Sequence, residues 1–252
     1  MLMREKSFLC SEHPTVTVMV QAESPERIKE LVLRAEALGG EAYGMQMCRL
    51  RPEYRNRETY RELFSLAPVY VTNYRLIYNE NKNDDTLAEE LIELAECGAS
   101  LVDVMGDIFD KQPGELTRDP DAIKKQIALI DRLHECGSEV LMSSHLWEYA
   151  SAERVLNIAL EHQSRGADIS KVVAHANTVE EEIECLRIIS LLKRTLKIPF
   201  LFLVNGECHI LRRIGGELGN CMYLCVVEHD EYATPTQPLL SDVKLICDTL
   251  RK

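Results

Sequence analysis

The chain has 252 residues, of which 46% are hydrophobic and 28% charged, and its 41 acidic and 29 basic side chains leave a net charge of −12. That composition supplies one large core and excludes collagen-like and disordered chains. No apolar run approaches the ~18 residues that span a bilayer, and the acidic balance argues against a protein that grips nucleic acid by its phosphates.

Short apolar runs alternate along the chain with amphipathic segments. The first strand is expected at 15–20, TVTVMV, followed by a helix that Ser24 caps, Pro25 opens, and Gly39 and Gly40 stop. Strands two and three fall at 42–47 and 69–74. A helix over 86–97 ends at Gly98, and strand four follows at 101–105. The helix over 121–136 stops at Gly137, strand five covers 139–145, and the helix over 152–165 stops at Gly166. Strand six is expected at 170–175, and Thr178 caps the next helix. Strand seven is at 200–204; Gly215, Gly216 and Gly219 read as the end of a helix. Strand eight is at 222–227, with a last helix from Ser241.

Each strand is apolar on both faces, as parallel strands covered on both sides should be. Eight strands over the chain repeat every ~31 residues, which fits a (β/α)8 barrel built as a single domain over 1–252. A doubly wound sheet would carry a glycine-rich turn after its first strand. Here that turn reads Q-A-E-S-P-E, without glycine. The N-terminal stretch carries acidic residues and no long apolar core, unlike a secretory leader. Nine cysteines without a CxxC pair read as buried free thiols in a reducing compartment, so a cytoplasmic location is expected.

Chemistry in such a barrel belongs at the C-terminal ends of the strands. Lys171 stands in the apolar strand I-S-K-V-V-A-H. Facing inward, its buried ammonium favours the neutral amine that imine formation with a ketone needs. Facing outward at the strand's start, it would pack its stem and keep its head in water. His145 ends strand five in M-S-S-H, placed either to move protons or to serve as a hydrogen-bonded structural histidine. Strands five and six are barrel neighbours, so Lys171 and His145 can share one pocket. Arg213 after strand seven and Arg75 after strand three are each able to hold a carboxylate in bidentate fashion, or to be ordinary surface arginines. Asp103, Asp107 and Asp110, with Glu80, offer ligands for a divalent metal, but they read more simply as solvated loop carboxylates.

Four motifs in register, M-S-S-H, G-A-D-I-S-K-V-V, R-R-I-G-G-E-L-G and A-T-P-T-Q-P, resemble the type I 3-dehydroquinate dehydratase family of imine-forming barrels. The resemblance implies a hydro-lyase of the shikimate pathway that acts on a small keto acid, without metal or cofactor, as a homodimer. It implies that Lys171 forms the imine and that His145 is the general base and acid. Arg213 would hold the substrate carboxylate, and Gln237, in the loop after strand eight, would close over the substrate. Arg75 matches the arginine ending strand three. Where the family offers Glu-x-Arg in strand two, this chain has Met45, Gln46, Met47, Cys48 and Arg49. Met105 replaces a glutamate in strand four, and Ala233 a serine in the last loop. The residues that recognise substrate hydroxyls are therefore expected to differ, leaving open a different hydroxy-keto acid or a non-catalytic binding barrel.

Overall fold

A computed structural model describes residues 7–250. Its chain alternates β1 (Thr15–Val20), α1 (Pro25–Ala37), β2 (Ala42–Gln46), α2 (Arg57–Phe64), β3 (Val69–Thr72), α3 (Asp84–Glu96), β4 (Leu101–Met105) and α4 (Pro120–Glu135). The second half continues with β5 (Glu139–His145), α5 (Ala152–Ser164), β6 (Ile169–His175), α6 (Val179–Thr195), β7 (Phe200–Asn205), α7 (Leu211–Leu218), β8 (Met222–Cys225) and α8 (Leu240–Leu250). All the strand pairs are parallel, in the order β7-β6-β5-β4-β3-β2-β1-β8. This is the expected (β/α)8 barrel.

The seam between β7 and β8 is closed by an unusual device. One backbone bond crosses it, from Cys221 N to Phe200 O at 2.9 Å. Beside it the Asn220 side chain behaves like a strand: its Oδ1 accepts from Phe202 N at 2.8 Å and its Nδ2 donates to Phe202 O at 2.9 Å. An amide side chain offers the same donor and acceptor as a peptide unit, so it satisfies the backbone that an open seam would orphan.

The helix starts follow local chemistry. Ser24 accepts from Arg27 N, and Thr178 forms a capping box with Glu181. Asn83 caps α3, starting it at Asp84, ahead of the expected residue 86. Two helices escape the periodicity. The short α2 buries only Tyr60, Leu63 and Phe64, one turn of apolar signal. In α7, Gly215 and Gly216 lie inside the helix rather than ending it; Gly219, at φ 143°, takes the C-cap. A Cβ at Gly216 would stand 2.4 Å from the Tyr223 ring, and one at Gly215 2.6 Å from Asn220 Nδ2. Helix propensity gives way there to close packing of α7 on the seam.

Two kinds of core result. The larger lies between strands and helices, and a smaller one fills the barrel, including Leu101, Leu141, Ile169, Leu201 and Met222. Alternation along a strand puts residues two apart on one face. The next inward positions after Leu101, Leu141 and Ile169 are Asp103, Ser143 and Lys171, so a polar layer rests on an apolar floor.

Candidate active site

Lys171 points into the barrel, its side chain only 6% exposed. Its ammonium is not left unpaired. Nζ lies 3.1 Å from Asp103 Oδ2 and donates to the Tyr74 hydroxyl at 2.8 Å and the Tyr70 hydroxyl at 3.1 Å. Asp103 is fully enclosed, and it accepts from Tyr74 at 2.6 Å, from Ser143 Oγ at 2.5 Å and from Tyr70. Burial alone would push its carboxyl up, but the Lys171 charge and the hydroxyls of Ser143, Tyr70 and Tyr74 together hold it below the ordinary carboxylate value. Burial, then the Asp103 charge, raises both tyrosines well above the ordinary phenol range, so they remain donors.

His145 stands one step further toward the C-terminal mouth, for Ser143 pairs with Lys171 and His145 with Val173. Its ring meets the Tyr74 ring edge to face, with centroids 5.4 Å apart at 86°. Nδ1 lies 2.6 Å from Glu115 Oε2, and the His145 backbone N–H reaches the same oxygen at 3.2 Å. Glu115 orients the imidazole and leaves Nε2 without a partner among the described residues. The loop carrying Glu115 comes in close: its carbonyl accepts from Ser144 Oγ at 2.6 Å, and a Cβ on Gly106 would lie 2.5 Å from that carbonyl. Glycine at 106 is therefore what lets Glu115 approach.

The other expected residues occupy the rim differently. Arg213 lies in the first turn of α7, partly buried, with no hydrogen-bond or ion-pair partner for its guanidinium among the described residues. Gln237 is buried in the loop after β8, its Oε1 accepting from Thr234 N at 2.8 Å. Their chain neighbours converge on one atom: Asn205 Oδ1 at the end of β7 accepts from Arg212 Nη2 at 2.5 Å and from Thr236 Oγ1 at 2.9 Å. This ties the start of α7 and the last loop to the mouth beside β6. Arg75 is committed elsewhere. Its guanidinium clamps Asp84 at 2.7 and 2.8 Å, the Asp107 carboxylate at 2.8 Å and the Asp107 carbonyl at 3.0 Å, joining the loops after β3 and β4.

Several site residues were not legible beforehand. Asp103 was expected as a solvated carboxylate and is instead buried against Lys171; Asp107 is buried against Arg75, and Asp110 accepts from Thr117 Oγ1 at 2.5 Å. No set of three His, Cys, Asp or Glu side chains among the described residues is arranged to hold a metal. Tyr70, Tyr74, Ser143 and Glu115 were missed. The signal available for the first three was alternation: they sit at or just past inward positions of β3 and β5. Thr72, two residues beyond Tyr70, also lies buried, with its hydroxyl unpartnered. Gln46, at the end of β2, accepts from Arg49 Nε at 2.8 Å, and the Arg49 guanidinium stacks over Tyr232 of the last loop.

The family model described as type I 3-dehydroquinase matches residues 115–251. A 3-dehydroquinate dehydratase of Alkaliphilus oremlandii is 30% identical over 141 residues, which is 55% of this chain; the match spans about half of that relative's length, 53%. The fold superposes on a 3-dehydroquinate dehydratase of Geobacillus kaustophilus with a TM-score of 0.79 at 17% identity, over 96% of this chain and 93% of that one. It likewise matches a type I 3-dehydroquinate dehydratase of Clostridium difficile, with covalently modified comenic acid, at 0.78 and 14% identity, over 96% and 94%. The family match begins at Glu115 and takes in His145, Lys171, Arg213 and Gln237, and the barrel is shared over nearly the whole length. The chain belongs to the type I 3-dehydroquinase family.

Proposed function

We propose that this protein is a hydro-lyase that removes water from 3-dehydroquinate, or a close analogue, through an imine on Lys171. The observation that carries the reading is the buried amine of Lys171 at the barrel centre, in contact with Tyr74, which in turn abuts His145. The substrate ketone condenses with Nζ, losing water and leaving a protonated imine. His145 Nε2 takes a proton from the neighbouring carbon, and the C–H electron pair is stored as an enamine. The enamine then expels the β-hydroxyl, to which the imidazolium returns its proton, so that water departs; a second water hydrolyses the imine. One oriented imidazole serves both halves, a contribution of roughly 10²–10⁴-fold for positioned acid–base catalysis. Glu115 keeps the ring turned toward the mouth.

Arg213, whose guanidinium has no partner among the described residues, holds the substrate carboxylate, and Gln237 closes over the substrate from the last loop. Arg75 serves by fixing the loops after β3 and β4, because its donors are already taken. A keto acid other than dehydroquinate is favoured by one set of observations: Gln46 is tied to Arg49, and β4 ends in Met105, so two carboxylates that would read hydroxyls are missing. Losing such partners shifts specificity by orders of magnitude. The enzyme works in the cytoplasm of the shikimate pathway, in keeping with nine free cysteines, and as a homodimer, as the family resemblance implies.

The test is borohydride reduction in the presence of 3-dehydroquinate, with peptide mass spectrometry and a parallel assay of enone formation. Adduct on Lys171 and turnover are expected, and both vanish in Lys171→Met. Turnover by Lys171→Met would refute the imine role. Adduct with other keto acids but not with dehydroquinate would reassign the substrate.

A further inference from the structure

The resting site poses a chemical problem. A nucleophilic lysine must be a free amine, yet Lys171 Nζ sits against the buried carboxylate of Asp103 as an ion pair. From the hydrogen-bond geometry we infer that Tyr74 is a catalytic residue, a proton relay that carries one proton from Lys171 Nζ to Asp103 as the amine attacks the substrate ketone. This rests on the imine reading above and adds to it the step that arms the nucleophile.

The route is laid out in the hydrogen bonds. Nζ–H donates to Tyr74 Oη at 2.8 Å, and Tyr74 Oη–H donates to Asp103 Oδ2 at 2.6 Å. The direct approach from Nζ to Asp103, and the one through Tyr70, each begin with a longer 3.1 Å contact. In the relay an Nζ–H bond breaks as a new Oη–H bond forms, while the old Oη–H bond breaks as an Oδ2–H bond forms. Tyr74 begins and ends as a neutral phenol; Lys171 becomes a neutral amine and Asp103 a neutral acid. Nothing is oxidised or reduced, and the proton on Asp103 goes back through Tyr74 to the carbinolamine hydroxyl, which departs as water and leaves the imine protonated; hydrolysis of that imine regenerates the Lys171 ammonium with no further proton needed. The phenol's strongly raised affinity for its proton excludes a standing tyrosinate, so the two transfers move together. Converting a buried ion pair into two neutral groups also lowers the desolvation cost of the site.

Tyr74 comes from the loop just past β3, and the same ring packs edge-on against His145. One side chain thus touches both the nucleophile and the base. The rim position past β3 has access to the mouth, whereas Tyr70, four residues earlier within β3, is fully enclosed.

The experiment follows adduct formation in time: full-length protein is mixed with 3-dehydroquinate, quenched with borohydride at set intervals, and read by intact mass. Tyr74→Phe keeps the ring against His145 and removes only the hydroxyl. Its adduct should form about 10²-fold more slowly at saturating substrate, the scale of one positioned proton transfer, with the half-saturating concentration unchanged. Tyr70→Phe, which removes the other hydroxyl on the same pair, should slow the adduct less than Tyr74→Phe does, since its contact with Nζ is longer; a Tyr70→Phe rate as slow as that of Tyr74→Phe overturns the choice of Tyr74 as the relay. A Tyr74→Phe rate within about threefold of the parent overturns the relay while leaving the imine reading intact. A second measurement needs no variant: in mixed H2O and D2O the parent's rate should depend quadratically on deuterium fraction, as two protons in flight require, and a linear dependence overturns the relay. If the parent gives no adduct with 3-dehydroquinate or with pyruvate, the imine reading itself fails and the relay with it.

Discussion

Asp103→Asn isolates the cost of the buried ion pair. The side chain keeps its shape, but the charge facing Lys171 Nζ at 3.1 Å is gone, and one of the atoms accepting from Ser143, Tyr70 and Tyr74 becomes a donor. Breaking a buried pair by removing one partner costs about 3–5 kcal/mol. A second route to the same figure starts from the variant's escape, which is to fold with the amine neutral. An ordinary lysine amine releases its proton near pH 10.4, so holding it neutral at pH 7 costs about 4.6 kcal/mol. This second route carries a signature that simple loss of packing lacks. The folded variant then binds one proton fewer than its unfolded chain below pH 10.4, so its stability climbs with pH by about 1.4 kcal/mol per unit. Urea unfolding should show the variant about 4–5 kcal/mol less stable than the parent at pH 7 and about 2 kcal/mol less stable at pH 9. Adding Lys171→Met to Asp103→Asn should recover most of the loss, because no buried charge is then left uncompensated. A deficit below about 1 kcal/mol, or one unchanged between pH 7 and pH 9, would refute the ion-pair reasoning.

Two further outcomes follow from the scaffold. Asn220→Ala removes the side chain that pairs with both Phe202 N and Phe202 O, leaving two buried backbone groups orphaned at the seam; a loss of about 2–4 kcal/mol in urea unfolding is expected. His162, buried between Ser144 Oγ and Ser170 Oγ at 3.0 Å each, has its pKa lowered from 6.5 to about 3, by burial first and then by the Arg165 charge. It is neutral in the fold and protonates only on unfolding, so its contribution is present above pH 6.5 and drains as the pH falls toward 3; about 2 kcal/mol should be lost by pH 5. His162→Gln should flatten that slope, and a parent whose stability is level between pH 7 and pH 5 would contradict the assignment.

What could be read from the residues follows from where the information is local. Strand one, TVTVMV, and strand five, EVLMSSH, coincide with β1 and β5 because two-sided burial demands an unbroken apolar run. Lys171 was legible because it interrupts such a run, and His145 because it stands at the C-terminal end of a strand. Asp103 interrupts one too, in L-V-D-V-M, yet its nearness to Asp107 and Asp110 in sequence drew it into a loop cluster. The barrel separates them: alternation turns Asp103 inward, while Asp107 turns to Arg75 beyond the strand. Tyr70 and Tyr74 pack like ordinary core aromatics in sequence, and only the fold shows their hydroxyls meeting one ammonium. Gly215 and Gly216 misled for the opposite reason. Their local preference is to end a helix, and a tertiary contact with Tyr223 and Asn220 overrides it. Glu115 lies 30 residues from His145 with no pattern linking them.

The layering of the barrel also explains why the chemistry and the recognition can diverge separately. The polar groups around Lys171 stand on adjacent strands of one wall: Tyr70 on β3, Asp103 on β4, Ser143 and His145 on β5, Lys171 on β6, with Tyr74 just past β3. The facing strands contribute Met19 from β1, Leu203 from β7 and Leu224 from β8 to the inner apolar cluster. A ketone carbon brought to Nζ in the proposed reaction therefore has its polar edge served by one wall and its carbon face by the other. In that proposed reaction the remaining hydroxyls would be met at the rim, by Arg213 and the loop bearing Gln237. That rim is built of loop and helix-start residues joined through Asn205, and it shares no hydrogen bond among the described residues with the Asp103 network. In the proposed reaction, substitutions there, as at Ala233 in the last loop, would change what is bound without unpairing the buried ammonium. A change at Asp103 or Tyr74 would instead reach the nucleophile in every substrate's reaction.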